Sequence, residues 1–320
     1  MIAVVIPYFQ REPGILRRAL ASIAAQRDLP LPVHVLVVDD ASPVPAAGEV
    51  AAMPAMPHPV QVILQPNAGP GGARNTGLSQ LPAGTRYVAF LDSDDEWTPD
   101  HLARAVAALQ AGFDFYFSDH VQLGSNVGAF ARAGRIDPSR HPAIASPHED
   151  LHAYQGDLFD QVFTANVIGT STVVYDATRF GAQRFMVEFA SAGEDYLFWM
   201  SIAQAGARAA FSSRCEATYG RGVNVYASSG WGTEAHLRRI HDEMRFKKIS
   251  RQLFKLTTRQ DAHVGAAVAA LRIAFARDLM HRLAHRKRTP LKLLLAQLAL
   301  DPMSYLMLLP NAGRIVLKQV

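Results

Sequence analysis

Four short apolar runs recur along the first ninety residues, each closed by a turn signal and separated from the next by room for a helix. They are Val4-Val5-Ile6, closed by Pro7; Val33-His34-Val35-Leu36-Val37-Val38, closed by Asp39-Asp40-Ala41-Ser42-Pro43; Val60 to Leu64; and Tyr87-Val88-Ala89-Phe90-Leu91, which runs straight into Asp92. Short runs that are almost wholly apolar and rich in β-branched residues read as strands buried on both faces. Between the first two, Glu12 to Gln26 places Ile15, Leu16, Ala19, Leu20 and Ile23 on one helical face, with Pro13 near the start. Residues 43–59, rich in Pro and Ala, read as a loop holding a short helix. Gly69-Pro70-Gly71-Gly72 breaks the chain before a short helix through Asn75 and Leu78, and Thr98-Pro99-Asp100 is expected to cap a helix with Leu102, Val106 and Leu109 inward. This alternation predicts an α/β fold with a doubly wound, mostly parallel sheet flanked by helices. Such sheets bind ligands beyond the carboxyl ends of their strands, and Asp39-Asp40 and Asp92 to Asp95 both fall there.

Composition narrows the class further. At 320 residues and 49% hydrophobic, the chain can bury a sizeable core and is not a disordered protein. Its one cysteine, Cys215, excludes a disulfide framework and a multi-cysteine zinc site, and reads as an apolar thiol rather than a nucleophile. The start, Met1 to Pro7, lacks the basic region of a signal peptide, so a cytoplasmic location is expected. The net charge of +4 hides a partition. Residues 1–230 hold 15 basic and 22 acidic side chains, whereas residues 231–320 hold 17 basic and 6 acidic, including every lysine. An acidic body with a basic tail suggests a polyanionic partner surface for the tail, or else a solvated helical face.

Asp92-Ser93-Asp94-Asp95 sets three carboxylates within four residues just after a strand. Like charges this close repel unless a cation joins them, and oxygen-only ligands favour Mg²⁺ or Mn²⁺. A turn and helix cap is the bland alternative. Asp39-Asp40 could accept hydrogen bonds from a nucleobase or a ribose, or simply close an Asx turn. Asn67 to Asn75 forms a glycine-rich loop whose amides could face a phosphate, with Arg74 as a planar positive fork. Its residues do not match an ATPase phosphate loop, and the spaced glycines of a dinucleotide dehydrogenase are absent after the first strand. Glu194-Asp195 opens a helix whose Leu197, Trp199, Met200, Ile202 and Ala203 look mostly buried. Acids there stabilise the helix dipole, or could deprotonate an incoming hydroxyl.

Together, Val5-Ile6-Pro7-Tyr8, Val37 to Ser42, Gly72-Ala73-Arg74-Asn75-Thr76-Gly77, Phe90 to Trp97 and Glu194-Asp195 resemble the family 2 inverting glycosyltransferases of GT-A fold. The resemblance covers roughly residues 1–230, and Phe9 to Leu16 is similar to bacterial exopolysaccharide enzymes, including succinoglycan-type glucosyltransferases. It implies that Pro7 and Asp40 line a base pocket with Asp39 close by, that Arg74 approaches the nucleotide, and that Asp92 and Asp94 form a DxD pair. Asp94 or Asp95 would bind Mn²⁺ or Mg²⁺, Asp195 would be the general base, and Glu194 would neighbour the acceptor. The reaction implied is a single in-line transfer of a sugar from a nucleotide-sugar, a UDP-sugar foremost, to a hydroxyl of a glycan or lipid-linked saccharide. Two features depart from the family pattern. Tyr219 to Asn224 contains no histidine, which leaves His236 as a remote third metal ligand, and the Gln-x-x-Arg-Trp signature of processive synthases is absent. Arg221 and Trp231 are candidates on the diphosphate and acceptor sides, against an ion pair and core packing respectively. A nucleotidyltransferase would share the fold and metal acids but needs a glycine-rich basic loop after the first strand, which Pro7-Tyr8-Phe9-Gln10 does not supply. A non-catalytic nucleotide- or polyanion-binding protein would leave Asp92 to Asp95 and Asp195 without a role.

Domain boundaries are expected at 1–230 for the catalytic domain and 231–320 for a basic α-helical C-terminal extension. In the extension, Val264, Val268, Leu271, Phe275, Leu279 and Leu283 recur at helical spacing. Leu291 to Leu309 is apolar but interrupted by Gln297, Asp301 and Pro302, which fails the uninterrupted run of about 20 residues that a spanning helix needs. Two readings of residues 260–320 stand side by side. The helices lie on the inner face of the cytoplasmic membrane, or they pack against the catalytic domain or a partner in a homodimer. Nucleic acid is not an expected partner.

Overall fold

The computed structural model describes residues 1–189, 193–220, 230, 232–288 and 290–317. All seven residues of Ile2–Tyr8 (β1) are buried, as a central strand of a parallel sheet requires. Val33–Asp39 (β2) pairs with β1, Val60–Leu64 (β3) pairs with β2, and Tyr87–Phe90 (β4) takes the other flank of β1; all three pairings are parallel. The linking helices are Ile15–Ala24 (α1), Ala46–Ala51 (α2) and Gly69–Ser79 (α3), followed after β4 by His101–Gln110 (α4). On α1 the buried side chains include Leu16, Ala19, Leu20 and Ile23, and on α4 Leu102, Val106 and Leu109, which is the apolar face that the spacing predicts. Helix α3 lies so close to β1 that a β-carbon at Gly77 would stand 2.5 Å from a Val5 methyl.

One expectation is corrected at α4. Asp100 occupies the N-cap position but caps nothing with its side chain. Its carboxylate takes hydrogen bonds from Arg104 Nε at 2.7 Å and Thr98 Oγ1 at 3.0 Å, and the Leu102 amide donates instead to Gln26 Oε1 at 3.0 Å. An ion pair one turn along the helix has outcompeted the local cap.

Beyond β4 the sheet continues through segments that carry no strand signal as plain as the first four. These are Glu96–Trp97 (β5), Phe115–Gln122 (β6), Leu151–Ala153 (β7), Val174–Asp176 (β8) and Ala209–Tyr219 (β9). The order is β3-β2-β1-β4-β8-β6-β9-β5, with β7 also on β9. Strand β8 runs antiparallel between β4 and β6, and β6 and β9 are parallel, so the sheet is mixed but mostly parallel. Since β8 is reversed, the residues that precede it arrive at the edge where β4, β6 and β9 end. Shorter helices Ala129–Ala133 (α5), Leu158–Ala165 (α6) and Ala177–Phe180 (α7), then Glu194–Gln204 (α8), complete this part. An aromatic layer seats α8 on the sheet: Phe198 stacks on Phe185 with centroids 4.3 Å apart, and Trp199 lies 5.4 Å from Phe115.

The chain divides into two compact units, Met1–Ala190 with Glu194–Val223, and Ser191–Gly193 with Asn224–Val320. The second unit is helical: Glu234–Leu253 (α9), Thr258–Ala284 (α10), Leu291–Leu300 (α11), Met303–Leu306 (α12) and Leu308–Val316 (α13). Its core gathers Leu237, Ile240, Phe275 and Leu293. A capping box starts α10, with Thr257 and Gln260 exchanging backbone-to-side-chain hydrogen bonds at 3.0 and 3.3 Å. Buried Asp301 accepts from both Arg272 Nε and Nη2 at 2.8 Å, from Lys248 at 3.1 Å and from Ser304 at 2.7 Å. Among the described residues, no helix is long and apolar enough to cross a membrane.

Candidate active site

The carboxyl edge of β2 is built by two acids that face backbone. Asp39 accepts from the amides of Ser42 and Ala46, both at 2.8 Å, which closes the turn into α2. Asp40 accepts from Gln65 Nε2 at 2.6 Å and from the amides of Ala68 and Gly69 at 2.7 and 2.9 Å, at the point where α3 begins. Both side chains are buried, so each shapes this edge through the loop it holds. Pro7, paired with Val38, lies buried beside them in β1.

Arg74 joins three separated parts of the sequence. It projects from α3, 3% exposed, and donates through Nη2 to Asp92 Oδ1 at 2.6 Å and through Nη1 to Glu194 Oε1 at 3.3 Å. Its guanidinium also lies 5.4 Å from the Phe185 ring centroid. Burial opposes the charge, but the fields of Asp92 and Glu194 outweigh it and keep the group firmly protonated. The same burial raises Glu194 to about 7, helped by the adjacent Asp195 and opposed by Arg74. Asp195 is also raised, by burial first, with Arg74 pulling it back. Its Oδ1 accepts from the Tyr196 amide at 2.8 Å and its Oδ2 from Thr170 Oγ1 at 3.2 Å, which fixes the orientation of the carboxylate.

The acidic cluster divides by face. Ser93 and Asp95 are buried, while Asp92 and Asp94 are half-exposed. Ser93 accepts from Gln10 Nε2 at 3.0 Å. Asp95 accepts from Ser171 Oγ at 2.5 Å and from the Gly220 amide at 2.9 Å. Asp95, expected among the metal ligands, is therefore spent inward, and burial with the Asp92 and Asp94 charges pushes its carboxyl well above the usual carboxylate range. The reason is steric as well as electrostatic. A β-carbon at Gly220 would run into the Asp94 carbonyl, so this glycine lets the end of β9 close over the loop and reach Asp95. Asp92 and Asp94 remain as the pair on the open side.

Ser171 is the residue that sequence reasoning missed. Fully buried just before β8, it accepts the Asp92 amide on Oγ at 2.9 Å, donates its hydroxyl hydrogen bond to Asp95, and accepts Trp97 Nε1 on its carbonyl at 2.5 Å. Tyr219 OH accepts its amide at 3.4 Å, and the Tyr219 ring stacks on His120 at 4.3 Å. The run Thr170-Ser171-Thr172 ahead of apolar Val173-Val174-Tyr175 was the available signal.

Cys215 is half-buried beside Asp119, and its thiol is pushed up to about 11 by burial and that acid, so it stays protonated. His236 lies in the first turn of α9, in the second unit. Arg221 and Trp231 lie outside the described residues. Among the described residues no three His, Cys, Asp or Glu side chains form a ready-made cation cage. Two half-exposed carboxylates fit Mg²⁺ or Mn²⁺ all the same, because such ions are commonly held by one or two carboxylates plus the oxygens of a substrate diphosphate.

Residues 3–169 match the family described as glycosyl transferase family 2. The chain is 38% identical over 233 residues to the succinoglycan biosynthesis protein ExoW of Rhizobium meliloti, covering 71% of each chain. In fold it is similar to S. aureus TarS 1-349 in complex with UDP-GlcNAc, with a TM-score of 0.56 at 19% identity over 88% of this chain and 72% of that one. It is also similar to the mannosyltransferase PcManGT of Pyrobaculum calidifontis in complex with GDP-Man and Mn²⁺, with a TM-score of 0.56 at 18% identity over 98% and 84%.

Proposed function

The chain belongs to glycosyl transferase family 2 and is a glycosyltransferase of GT-A fold, and on that premise we propose that it transfers a sugar from a UDP-sugar, with inversion, to a hydroxyl of a glycan or lipid-linked saccharide in bacterial exopolysaccharide or cell-surface polysaccharide synthesis. The observation that carries this reading is the Arg74 clamp. One buried cation ties Asp92, at the end of β4, to Glu194, which opens the helix that carries Asp195. The relative's name supports a polysaccharide product, and the UDP-GlcNAc and Mn²⁺ complexes of the fold neighbours support a nucleotide-sugar donor with a divalent cation.

In this reading Pro7 and the Asp39–Asp40 turn line the base pocket, the two carboxylates acting through the backbone they hold. Asp92 and Asp94 would hold the cation against the donor diphosphate, where it supplies positive charge as the leaving group departs. Arg74 fixes the direction of Asp92 and brings a permanent positive charge close to the same place. Asp195, oriented by Thr170 and the Tyr196 amide, takes the proton of the acceptor hydroxyl as the new bond forms. Glu194, held by Arg74, stands on the acceptor side.

The test pairs binding with turnover. Calorimetry with UDP, GDP and dTDP, with and without Mn²⁺, is expected to show Mn²⁺-dependent UDP binding by the unaltered chain. Asp195→Asn is expected to keep that binding and lower kcat roughly 1000-fold. Equal binding of all three nucleotides regardless of metal, or an Asp195→Asn variant with full turnover, would refute the assignment.

A further inference from the structure

The second unit sorts its large apolar side chains into two sets. Most of those of α9 and α10 turn inward, Val264 and Phe275 both being 1% exposed; Leu253 and Leu283, at the C-terminal ends of the two helices, are exposed. Among the described residues of α11–α13, only Leu293, Leu294, Tyr305 and Leu308 pack against that core, and many of the other leucines turn out. Leu291, Leu295 and Leu298 repeat on one stripe of α11, opposite the buried Leu293 and Gln297, and Leu306, Leu309 and Leu317 follow at 71%, 85% and 67% exposure. Only Asp301-Pro302 and Met307 separate these three helices. So dense a run of exposed leucines differs from the single ones that any surface carries.

Charge decides what covers it. The last two acids of the chain, Asp278 and Asp301, are 0% and 1% exposed and are consumed by Arg282 and by Arg272 with Lys248. Arg286, Arg288, Lys292 and Arg314 are exposed. Among the described residues from 279 to 317, the surface therefore offers leucine and positive charge but no negative charge. A second copy of the chain would bring the same cations to face these, and like charges across an interface repel. A layer of anionic headgroups over acyl chains meets both demands.

We propose that α11–α13 dock on an anionic lipid bilayer. The exposed leucines enter the boundary between headgroups and acyl chains, and Arg286, Arg288, Lys292 and Arg314 bind lipid phosphates. The inference stands on this surface alone, independent of the transferase site. The full chain is to be co-sedimented with vesicles of phosphatidylcholine and phosphatidylglycerol in equal parts, and with vesicles of phosphatidylcholine alone. The expected result is binding that strongly favours the anionic vesicles. The triple variant Arg286→Gln, Arg288→Gln, Lys292→Gln should weaken it on the order of 100-fold. Leu306→Ser with Leu309→Ser should abolish it for both compositions, and since all five side chains are exposed, solution nucleotide binding should be unchanged. Failure of the unaltered chain to bind either vesicle, or equal binding to both that the triple variant leaves intact, overturns the proposal. So does a dimer in sedimentation velocity that the Leu306→Ser, Leu309→Ser variant turns into a monomer, which would assign the face to a second copy.

Discussion

Neighbouring residues of one acidic cluster lie in opposite environments, and the division of roles proposed for them can be checked by substitution. Asp94 stands on the open side, whereas Asp95 is buried under Ser171 and Gly220. An asparagine at 95 can still accept from the Gly220 amide and donate to Ser171 Oγ, so Asp95→Asn should retain Mn²⁺-dependent donor binding. Asp94→Asn should weaken that binding roughly 100-fold; equal losses in the two variants would contradict this division. Ser171→Ala removes the hydroxyl shared by the Asp92 amide and Asp95, and should weaken Mn²⁺-dependent binding on the order of tenfold without touching the donor. Arg74→Lys cannot span Asp92 and Glu194 together. It is expected to lower the stability of the first unit by about 3 kcal/mol, read as a shift of its denaturation midpoint.

Between elements, the site depends on how closely α3 approaches the sheet. Gly77 permits that approach, because any side chain there meets Val5 of β1. Gly77→Ala should cost about 2 kcal/mol by overpacking, and donor binding should weaken too, since Arg74 rides on the same helix. A variant with unchanged stability would show that α3 can shift at little cost. The strand β8 has the complementary role. Its reversed direction carries Thr170 and Ser171 to the edge where β4 and β9 end, so Asp195 and Asp92 are both oriented from one three-residue turn.

Over the whole molecule, each unit carries its own response to acid. Burial lowers His120 to about 4, from an ordinary value of about 6.5, so the folded first unit stays neutral there while the unfolded chain takes up a proton. Its stability should therefore fall as the pH drops from about 6.5 towards 4. In the second unit, hydrogen bonds from Arg272, Ser304 and Lys248 overcome the burial of Asp301 and hold its carboxyl far below the usual range. That contribution is complete above the ordinary carboxylate value of about 4 and is lost as the pH falls below it. Denaturation midpoints measured across pH should thus flatten in the upper window for His120→Phe and in the lower one for Asp301→Asn. An unaltered slope in either variant would remove that residue as the cause.

The order of the first four strands, their helices and the acids at their ends follow from the sequence alone, because a two-sided buried strand needs a continuous apolar run and a helix needs a periodic face. Asp92 and Asp195 stand out in the sequence for the same reason, each lying at the boundary of such an element, and Arg74 stands out by the glycine-rich run before it. The direction of a side chain is another matter. Asp92, Asp94 and Asp95 are the same residue type within four positions, and no local rule tells which will turn inward. That was settled by Gly220, just past the end of β9 and more than 100 residues along the chain, which comes close enough to offer its amide to Asp95. Ser171 likewise shows in the sequence only as part of a polar run ahead of an apolar one, and gains its contacts only when β8 pairs between β4 and β6. The exposed leucines of α11–α13 follow the same logic. Their apolar character is written in the sequence, but only the packing of Leu293 and Gln297 against the rest of the unit decides which face is left to meet something else.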